Sequence, residues 1–141
     1  MTNAELASAF GADMILLNLF DVFRPSMEGL PETKPDDIVR TLKKLTGRPV
    51  GLNLEPVDLQ AKRLETLTQL PEGRRASEES LKKAKELGFD FVCLTGNPKT
   101  GVTNSEILAA IQKTRSVFGE KALLSLEKCT VLVFQEKRED R

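Results

Sequence analysis

The sequence predicts an α/β protein built from parallel βα repeats. Three observations favour this class: one unit recurs four times, its apolar runs are near-continuous, and each run follows a helix signal that ends in glycine. Near-continuous apolar runs are typical of parallel strands covered on both faces. Two architectures fit: about half of a TIM (β/α)8 barrel, which needs roughly 250 residues when complete, or a small open doubly wound sheet. Periodicity alone leaves both open.

The repeated unit consists of a helix end, a glycine, a short polar spacer and an apolar run. Each glycine suits the left-handed conformation that closes a helix, because a Cβ there would clash. The four copies are FGADMILLNL from Phe10, TGRPVGLNLE from Thr46, LGFDFVCLTG from Leu87 and FGEKALLSLE from Phe118. The sequence therefore predicts the order α-β-α-β-α-β-α-β, with parallel strands joined by right-handed crossovers.

Signals for helix starts precede these units. Thr2-Asn-Ala-Glu5 and Thr103-Asn-Ser-Glu106 are capping boxes, in which a hydroxyl and a carboxylate satisfy free backbone N–H groups. Pro35-Asp-Asp37 fixes φ and gives a helix start negative charge. A longer segment between the second and third units predicts one surface helix from about Leu59 to Leu70.

Composition excludes several classes of function. The 141 residues are 40% hydrophobic and 30% charged, as in a single globular domain rather than a disordered chain. The 21 basic residues equal the 21 acidic ones, so no net field attracts nucleic acid or a membrane surface. Histidine is absent, which excludes His-based catalysis and His metal ligands from this chain. We expect Cys93 and Cys129 to be reduced and, since no signal peptide opens the sequence, the protein to be cytoplasmic.

Polar side chains follow the first three apolar runs, where each strand is expected to end. Both candidate architectures bind ligands at the carboxyl ends of parallel strands. Amides, hydroxyls and glycine N–H groups suit a small polar ligand, and the candidate ligand-binding residues are Asn18, Asn53, Thr95, Gly96, Asn97 and Thr100. Asp21 and Glu55 are the candidate Mg²⁺ ligands, because that ion prefers oxygen.

The alternative is that these residues only end strands and form turns, as Asn, Asp and Gly commonly do. We favour a site because Asn53 interrupts an otherwise apolar strand ending.

Two loops carry motifs that suit an anion. The segment from Gly96 to Thr103 imitates a phosphate-binding loop, but Val102 stands where lysine is required, which argues against a nucleoside triphosphatase. Binding of a single phosphate or carboxylate by backbone N–H groups at the following helix start remains a hypothesis. Gly73-Arg-Arg-Ala-Ser77 offers guanidinium groups to an anion, or is a solvated pair beside acidic neighbours, the interpretation that we favour. Cys93 is not expected to be a nucleophile, because it lies mid-strand without a base beside it.

Five motifs carry a resemblance to a known family: GADMILLNLFDV, LTGRPVGLNLEPVD, GRRAS, KAKELG and DFVCLTGNPKTGVTN, in this order. Together they resemble an uncharacterised bacterial family of phosphoenolpyruvate phosphonomutase-like TIM-barrel proteins, sometimes labelled haloacid dehalogenase-like. The resemblance runs from Thr2 to about Leu124. It implies a (β/α)8 barrel, a small phosphorylated or carboxylated metabolite as ligand, Mg²⁺ as the candidate cofactor and a lyase-like or isomerase-like parent enzyme.

After Leu124 the resemblance stops, so we expect a partial barrel domain over residues 1–124 and a divergent tail over 125–141. The resembled family has the run IAGKMHGAGF at this strand end. Plausible codons for Leu124 to Phe134, read from the third base, encode that run, which predicts a frameshift near Leu124. Within the tail, Thr130 to Phe134 still favours a strand by propensity.

A fragment of this kind is expected to be inactive alone and to form homo-oligomers through unpaired strand edges. The alternative is a self-sufficient small α/β module that binds a metabolite without chemistry, or an interaction module.

Overall fold

The computed structural model describes residues 1–56, 70–95, 104–119, 124–127 and 130–134. The helices in these ranges are α1 (Asn3–Ala9), α2 (Ile38–Thr46), α3 (Glu78–Leu87) and α4 (Asn104–Phe118). The strands are β1 (Ile15–Leu17), β2 (Val50–Leu54), β3 (Phe91–Thr95), β4 (Leu124–Glu127) and β5 (Thr130–Phe134). The surface helix predicted from residue 59 falls on residues 57–69, which lie outside the described ranges.

The strands form one open sheet in the order β1-β2-β3-β5-β4. The first three are parallel neighbours, as predicted. The expectation that the fourth strand continues this parallel series is wrong: among the described strands β4 pairs with β5 alone, and β5 runs antiparallel to both β4 and β3. The physical reason is the short connection, since residues 128–129 alone join β4 to β5 and a two-residue link permits only an antiparallel hairpin. The fold is therefore a mixed α/β structure with three parallel strands in an open sheet.

One layer of helices covers one face of the parallel strands. The helices contact one another in chain order, α1 with α2, α2 with α3 and α3 with α4. This follows from the order β1-β2-β3, because right-handed crossovers that step in one direction leave every helix on the same face. Alternate strand residues point into the core between helices and sheet, whose buried members include Ile15, Val50, Leu52, Leu54, Val92, Leu94, Val39, Leu42, Leu81 and Ala84.

The helix ends follow the pattern expected from the sequence. Gly47 and Gly88 close α2 and α3 with φ values of 64° and 96°, and Gly11 and Gly119 also have positive φ. Thr2 and Glu5 form the predicted capping box of α1. The hydrogen bonds from Thr2 hold the pKa of Glu5 below its ordinary value.

An ion pair at the amino edge of the sheet helps to set the register of β2 and β3. Lys43 Nζ lies 2.7 Å from Asp90 Oδ1, and Asp90 Oδ2 accepts the backbone N–H of Val50 at 2.9 Å. Asp90 thus holds α2 and the start of β2 in place just before β3 begins.

Among the described helices, none is long and apolar enough to cross a membrane.

Candidate functional site

A chain of hydrogen bonds joins side chains from three neighbouring strands at the carboxyl edge of the parallel sheet. Asn53 Nδ2 donates to Asn18 Oδ1 at 3.1 Å, and Thr95 Oγ1 donates to Asn53 Oδ1 at 3.1 Å. Asn18 follows β1 directly, Asn53 lies in β2, and Thr95 ends β3. We call these three residues the polar ladder. The structure therefore brings three of the predicted site residues together, while their role in ligand binding stays a prediction.

Strand register explains why these side chains meet. Leu17 pairs with Leu52, so the next residue of each strand, Asn18 and Asn53, come opposite each other. Side chains alternate between the faces of a strand, and because Leu52 belongs to the core beneath the helices, Asn53 points to the opposite face. The ladder therefore lies on the face of the sheet opposite the described helices.

The same face accommodates one large side chain beside the ladder. Gly51 pairs with Phe91, and a Cβ on Gly51 would overlap the Phe91 ring. Phe91 is 2% exposed. Glycine at this position thus lets the ring lie flat across β2, close to Asn53 along the strand.

The polar ladder opens to solvent at Asn18. Asn18 is exposed, whereas Asn53 and Thr95 are half-buried. Asn53 uses its oxygen and one N–H group inside the ladder, but Asn18 uses only its oxygen. The NH₂ group of Asn18 has no partner among the residues that the structure describes, so the open end of the ladder presents two hydrogen-bond donors. Such an end suits a carboxylate or phosphate oxygen.

Cys93 lies beside the ladder and is buried. Its Sγ is 3.5 Å from Thr95 Oγ1. Burial raises the pKa of the Cys93 thiol above its ordinary value, and the hydrogen bond with Thr95 opposes this shift in part. The thiol is therefore protonated at neutral pH and a poor nucleophile, in line with the expectation from sequence. Cys129 falls outside the described ranges.

Asp21 and Glu55, the candidate Mg²⁺ ligands, already interact with groups of the protein. Asp21 Oδ1 accepts the backbone N–H of Phe23 at 2.9 Å, and Glu55 Oε1 lies 4.0 Å from the Arg74 guanidinium. Over the described ranges, no three acidic, Cys or His side chains come together as a metal site. These contacts do not prepare the two carboxylates for a metal, and Mg²⁺ binding stays a prediction from the sequence pattern.

The segment from Gly73 to Ser77 is fixed by internal contacts, which differs from the solvated pair that we favoured. Arg75 donates from Nε and Nη2 to the carbonyl of Leu70 at 3.2 and 2.8 Å, and Arg74 pairs with Glu55. Ser77 caps α3 by accepting the N–H of Ser80 at 3.1 Å. The sequence did not predict the Arg74–Glu55 pair, because Glu55 is distant along the chain. The acidic residues close to Arg74 in sequence, such as Glu72 and Glu78, suggested a solvated pair instead.

Three predicted ligand-binding residues, Gly96, Asn97 and Thr100, fall within residues 96–103, outside the described ranges.

A groove beside β1 is a feature of the structure that the sequence did not predict. Two adjoining cavities of about 420 and 430 Å³ form a groove along the outer edge of β1, between α1 and residues 26–29. We call it the edge groove. Asn18 lines it together with Leu19, whose φ of 64° is rare for a residue other than glycine.

Fold and site together define a small mixed α/β protein with a polar cluster at the carboxyl ends of its parallel strands. The family model described as "Domain of unknown function (DUF7916)" matches residues 1–137, so the chain belongs to that family. The match spans β5, which lies within residues 125–141, where the sequence predicts a divergent tail. No curated protein and no solved structure matches the chain.

Proposed function

We propose that the carboxyl ends of β1, β2 and β3 bind a small phosphorylated or carboxylated metabolite. The observation that carries the proposal is the polar ladder, because three strands each contribute one polar side chain to a single hydrogen-bonded row. A row that served only to end strands would not need partners across two strand boundaries. The ladder also fixes the rotation of Asn53, and this pre-orders the site before a ligand arrives.

The chemistry of the open end favours an anionic ligand. Thr95 donates to Asn53, and Asn53 donates to Asn18, so the donors run in one direction along the row. The row therefore ends in the NH₂ group of Asn18 rather than in an oxygen. Hydrogen bonds from an amide to a charged oxygen are stronger than those between neutral groups.

We further propose that the chain corresponds to part of a (β/α)8 barrel of the phosphonomutase-like kind, with a ligand site and no activity of its own. The consecutive parallel order β1-β2-β3 and the single helix layer support this proposal, since a barrel is wound in that way. The sequence contains no histidine, and the raised pKa of Cys93 leaves its thiol protonated. These two facts support binding without catalysis.

The second candidate is a self-sufficient small α/β binding module. The β4–β5 hairpin favours it, because an antiparallel strand occupies the side of β3 on which a barrel would have its next parallel strand. Both candidates use the same polar ladder, and they differ in whether the ligand must also contact a second chain or domain.

The test is ligand-induced thermal stabilisation and calorimetric titration with phosphoenolpyruvate, pyruvate and inorganic phosphate, each with and without Mg²⁺. The Asn18→Asp variant keeps an oxygen for the Asn53 N–H but replaces both donors with negative charge. We expect it to weaken anion binding by more than about tenfold, the equivalent of one hydrogen bond to a charged group.

The matched control is Gln112→Glu, which makes the same amide-to-carboxylate change at an exposed position of α4 and should leave affinity unchanged. Equal loss in both variants, or no binding of any anion by the wild type, would reject the proposal. Tight binding by the isolated chain favours the self-sufficient module, whereas weak binding that Asn18→Asp abolishes favours the barrel fragment, whose ligand must also contact a second chain or domain.

A further inference from the structure

A loosely held ion pair lies beside the polar ladder on the same face of the sheet. Glu55 follows Leu54, which belongs to the core beneath the helices, and it forms a parallel bridge with Arg75. Because side chains alternate along an extended chain, the Glu55 side chain points away from that core, as Asn53 does. The Cα atoms of Asn53 and Glu55 are about 6.5 Å apart, the rise of two strand residues, so one small ligand can contact both positions.

The backbone around Arg74, the partner of Glu55 in this ion pair, is fixed at the carboxyl edge by both neighbouring elements. Arg74 O accepts the N–H of Glu55 at 3.0 Å, and Glu55 O accepts the N–H of Ala76 at 2.8 Å. Gly73 O accepts the N–H of Val22 at 3.2 Å, from the segment that follows β1. Because these bonds hold the backbone without a ligand, little conformational entropy is lost here when a ligand binds.

The Arg74 guanidinium is held by charge rather than by hydrogen bonds. Its Nη2 lies 4.0 Å from Glu55 Oε1, beyond the distance at which an N–H group donates to a carboxylate. An arginine side chain has five N–H donors, and no described residue accepts a hydrogen bond from those of Arg74. The side chains of Arg74 and Glu55 are 24% and 27% exposed, so a ligand from solvent can reach both.

We propose that Arg74 anchors the anionic group of the ligand and that Glu55 competes with the ligand for this guanidinium. The inference rests on the ligand site proposed at the polar ladder. The ladder itself is neutral and offers an anion the NH₂ group of Asn18 without a positive charge. A guanidinium donates two parallel N–H groups to a carboxylate or phosphate, a contact that Glu55 does not make at 4.0 Å. A ligand oxygen that makes this contact therefore displaces the Glu55 carboxylate toward solvent.

The competition predicts opposite effects for the two members of the pair. Arg74→Gln removes the positive charge and should weaken binding of phosphoenolpyruvate, pyruvate or inorganic phosphate at least about tenfold, the equivalent of one hydrogen bond to a charged group. Glu55→Gln releases Arg74 and should tighten the same binding about two- to fivefold, the strength of a partly exposed ion pair. An ion pair with a structural role alone predicts that loss of either partner weakens binding.

Calorimetric titration at one fixed ionic strength measures these effects, with circular dichroism confirming that each variant folds. The double variant Glu55→Gln/Arg74→Gln separates competition from simple repulsion of the anion by the Glu55 charge. Under competition, Glu55→Gln changes affinity by less than about twofold once Arg74 is replaced, because the two effects are coupled. Repulsion alone predicts the same tightening with and without Arg74.

The matched control is Arg48→Gln. Arg48 Nη1 lies 3.9 Å from Asp13 Oδ1, an ion pair of the same type, but Arg48 precedes β2 at the amino edge of the sheet. It is roughly 20 Å from Glu55 along the strand, well beyond the screening length of about 8 Å at physiological ionic strength. The affinity of this variant should therefore stay within about twofold of the wild type.

A loss of affinity in Arg48→Gln equal to that in Arg74→Gln overturns the inference, because it reflects net charge alone. Equal tightening by Glu55→Gln in both backgrounds also overturns it. Binding that Asn18→Asp weakens and Arg74→Gln leaves unchanged rejects the role of Arg74, while the proposed function stands. If the wild type binds none of the three anions, the ligand site and this inference fail together.

Discussion

Replacing Asn53 with alanine removes both hydrogen bonds of the polar ladder at once. One hydrogen bond contributes a net of about 0.5–1.5 kcal/mol to stability, so the substitution should cost roughly 1–3 kcal/mol. The lower half of this range is expected, because Asn18 is exposed and Thr95 only half-buried. Water can therefore replace part of the lost hydrogen bonding in the variant. Asn18→Ala removes one bond and leaves an N–H of Asn53 without its partner, at a cost of about 1 kcal/mol.

The decisive quantity is the coupling between the two substitutions. In the Asn18→Ala/Asn53→Ala double variant the shared bond is lost once rather than twice, so the two single costs should exceed the double cost by about 0.5–1 kcal/mol. Urea unfolding is followed by far-ultraviolet circular dichroism, since the chain has no tryptophan or tyrosine. Gln112→Ala on α4 is the control and should change stability by less than about 0.5 kcal/mol. Additive costs within about 0.3 kcal/mol would refute the ladder as an interacting unit.

Packing, titration and the gene itself offer three more tests. Gly73→Ala should destabilise the fold by about 1–3 kcal/mol in urea unfolding, because the new Cβ would overlap the Asp21 carboxylate; a change of less than about 0.5 kcal/mol would contradict the overlap. The pKa of Glu5 is lowered in the folded state by its bonds to Thr2, so its contribution is present above the unfolded pKa and is lost as pH falls through the folded pKa. The stability advantage of the wild type over Glu5→Gln should therefore shrink from pH 7 to about pH 3, and a constant difference would exclude this linkage. A frameshift near Leu124 stays a prediction from the sequence, and the family match through residue 137 does not require one. If it occurred, the downstream DNA should encode further barrel strands in another frame, which sequencing of the gene decides.

The parts of the fold that the sequence predicts are those set by local physics. Glycine after a helix, a threonine–glutamate box before one, and an apolar run between them each act within a few residues, and Gly47, Gly88 and the capping box of α1 lie where expected. Parallel pairing of β1, β2 and β3 follows from helical connections long enough to cross over. Because parallel strands have their carboxyl ends at one edge, the convergence of Asn18, Asn53 and Thr95 was also predictable.

The parts that the sequence did not predict depend on contacts between distant residues. The partner of Arg74 is Glu55, 19 positions earlier, and no local pattern indicates that pair. β5 lies between β3 and β4. Predicting this position requires knowing that the edge of β3 is free when β4 and β5 form their hairpin. The edge groove likewise exists only because β2 pairs with one side of β1 and leaves the other side open.

The strand β5 determines how far the candidate site extends. It pairs with every residue of β3, from Phe134 opposite Phe91 to Thr130 opposite Thr95. Phe91 and Cys93 are 2% and 4% exposed, so β3 is an interior strand with backbone groups that need a neighbour on this side. A parallel strand in this position would bring its own carboxyl end to Thr95. An antiparallel strand satisfies the same backbone groups but brings its first residue to the site instead. Among the described residues, the polar ladder is thus built from the three parallel strands and consists of two amides and one hydroxyl, groups whose N–H and O–H can donate hydrogen bonds to an anion.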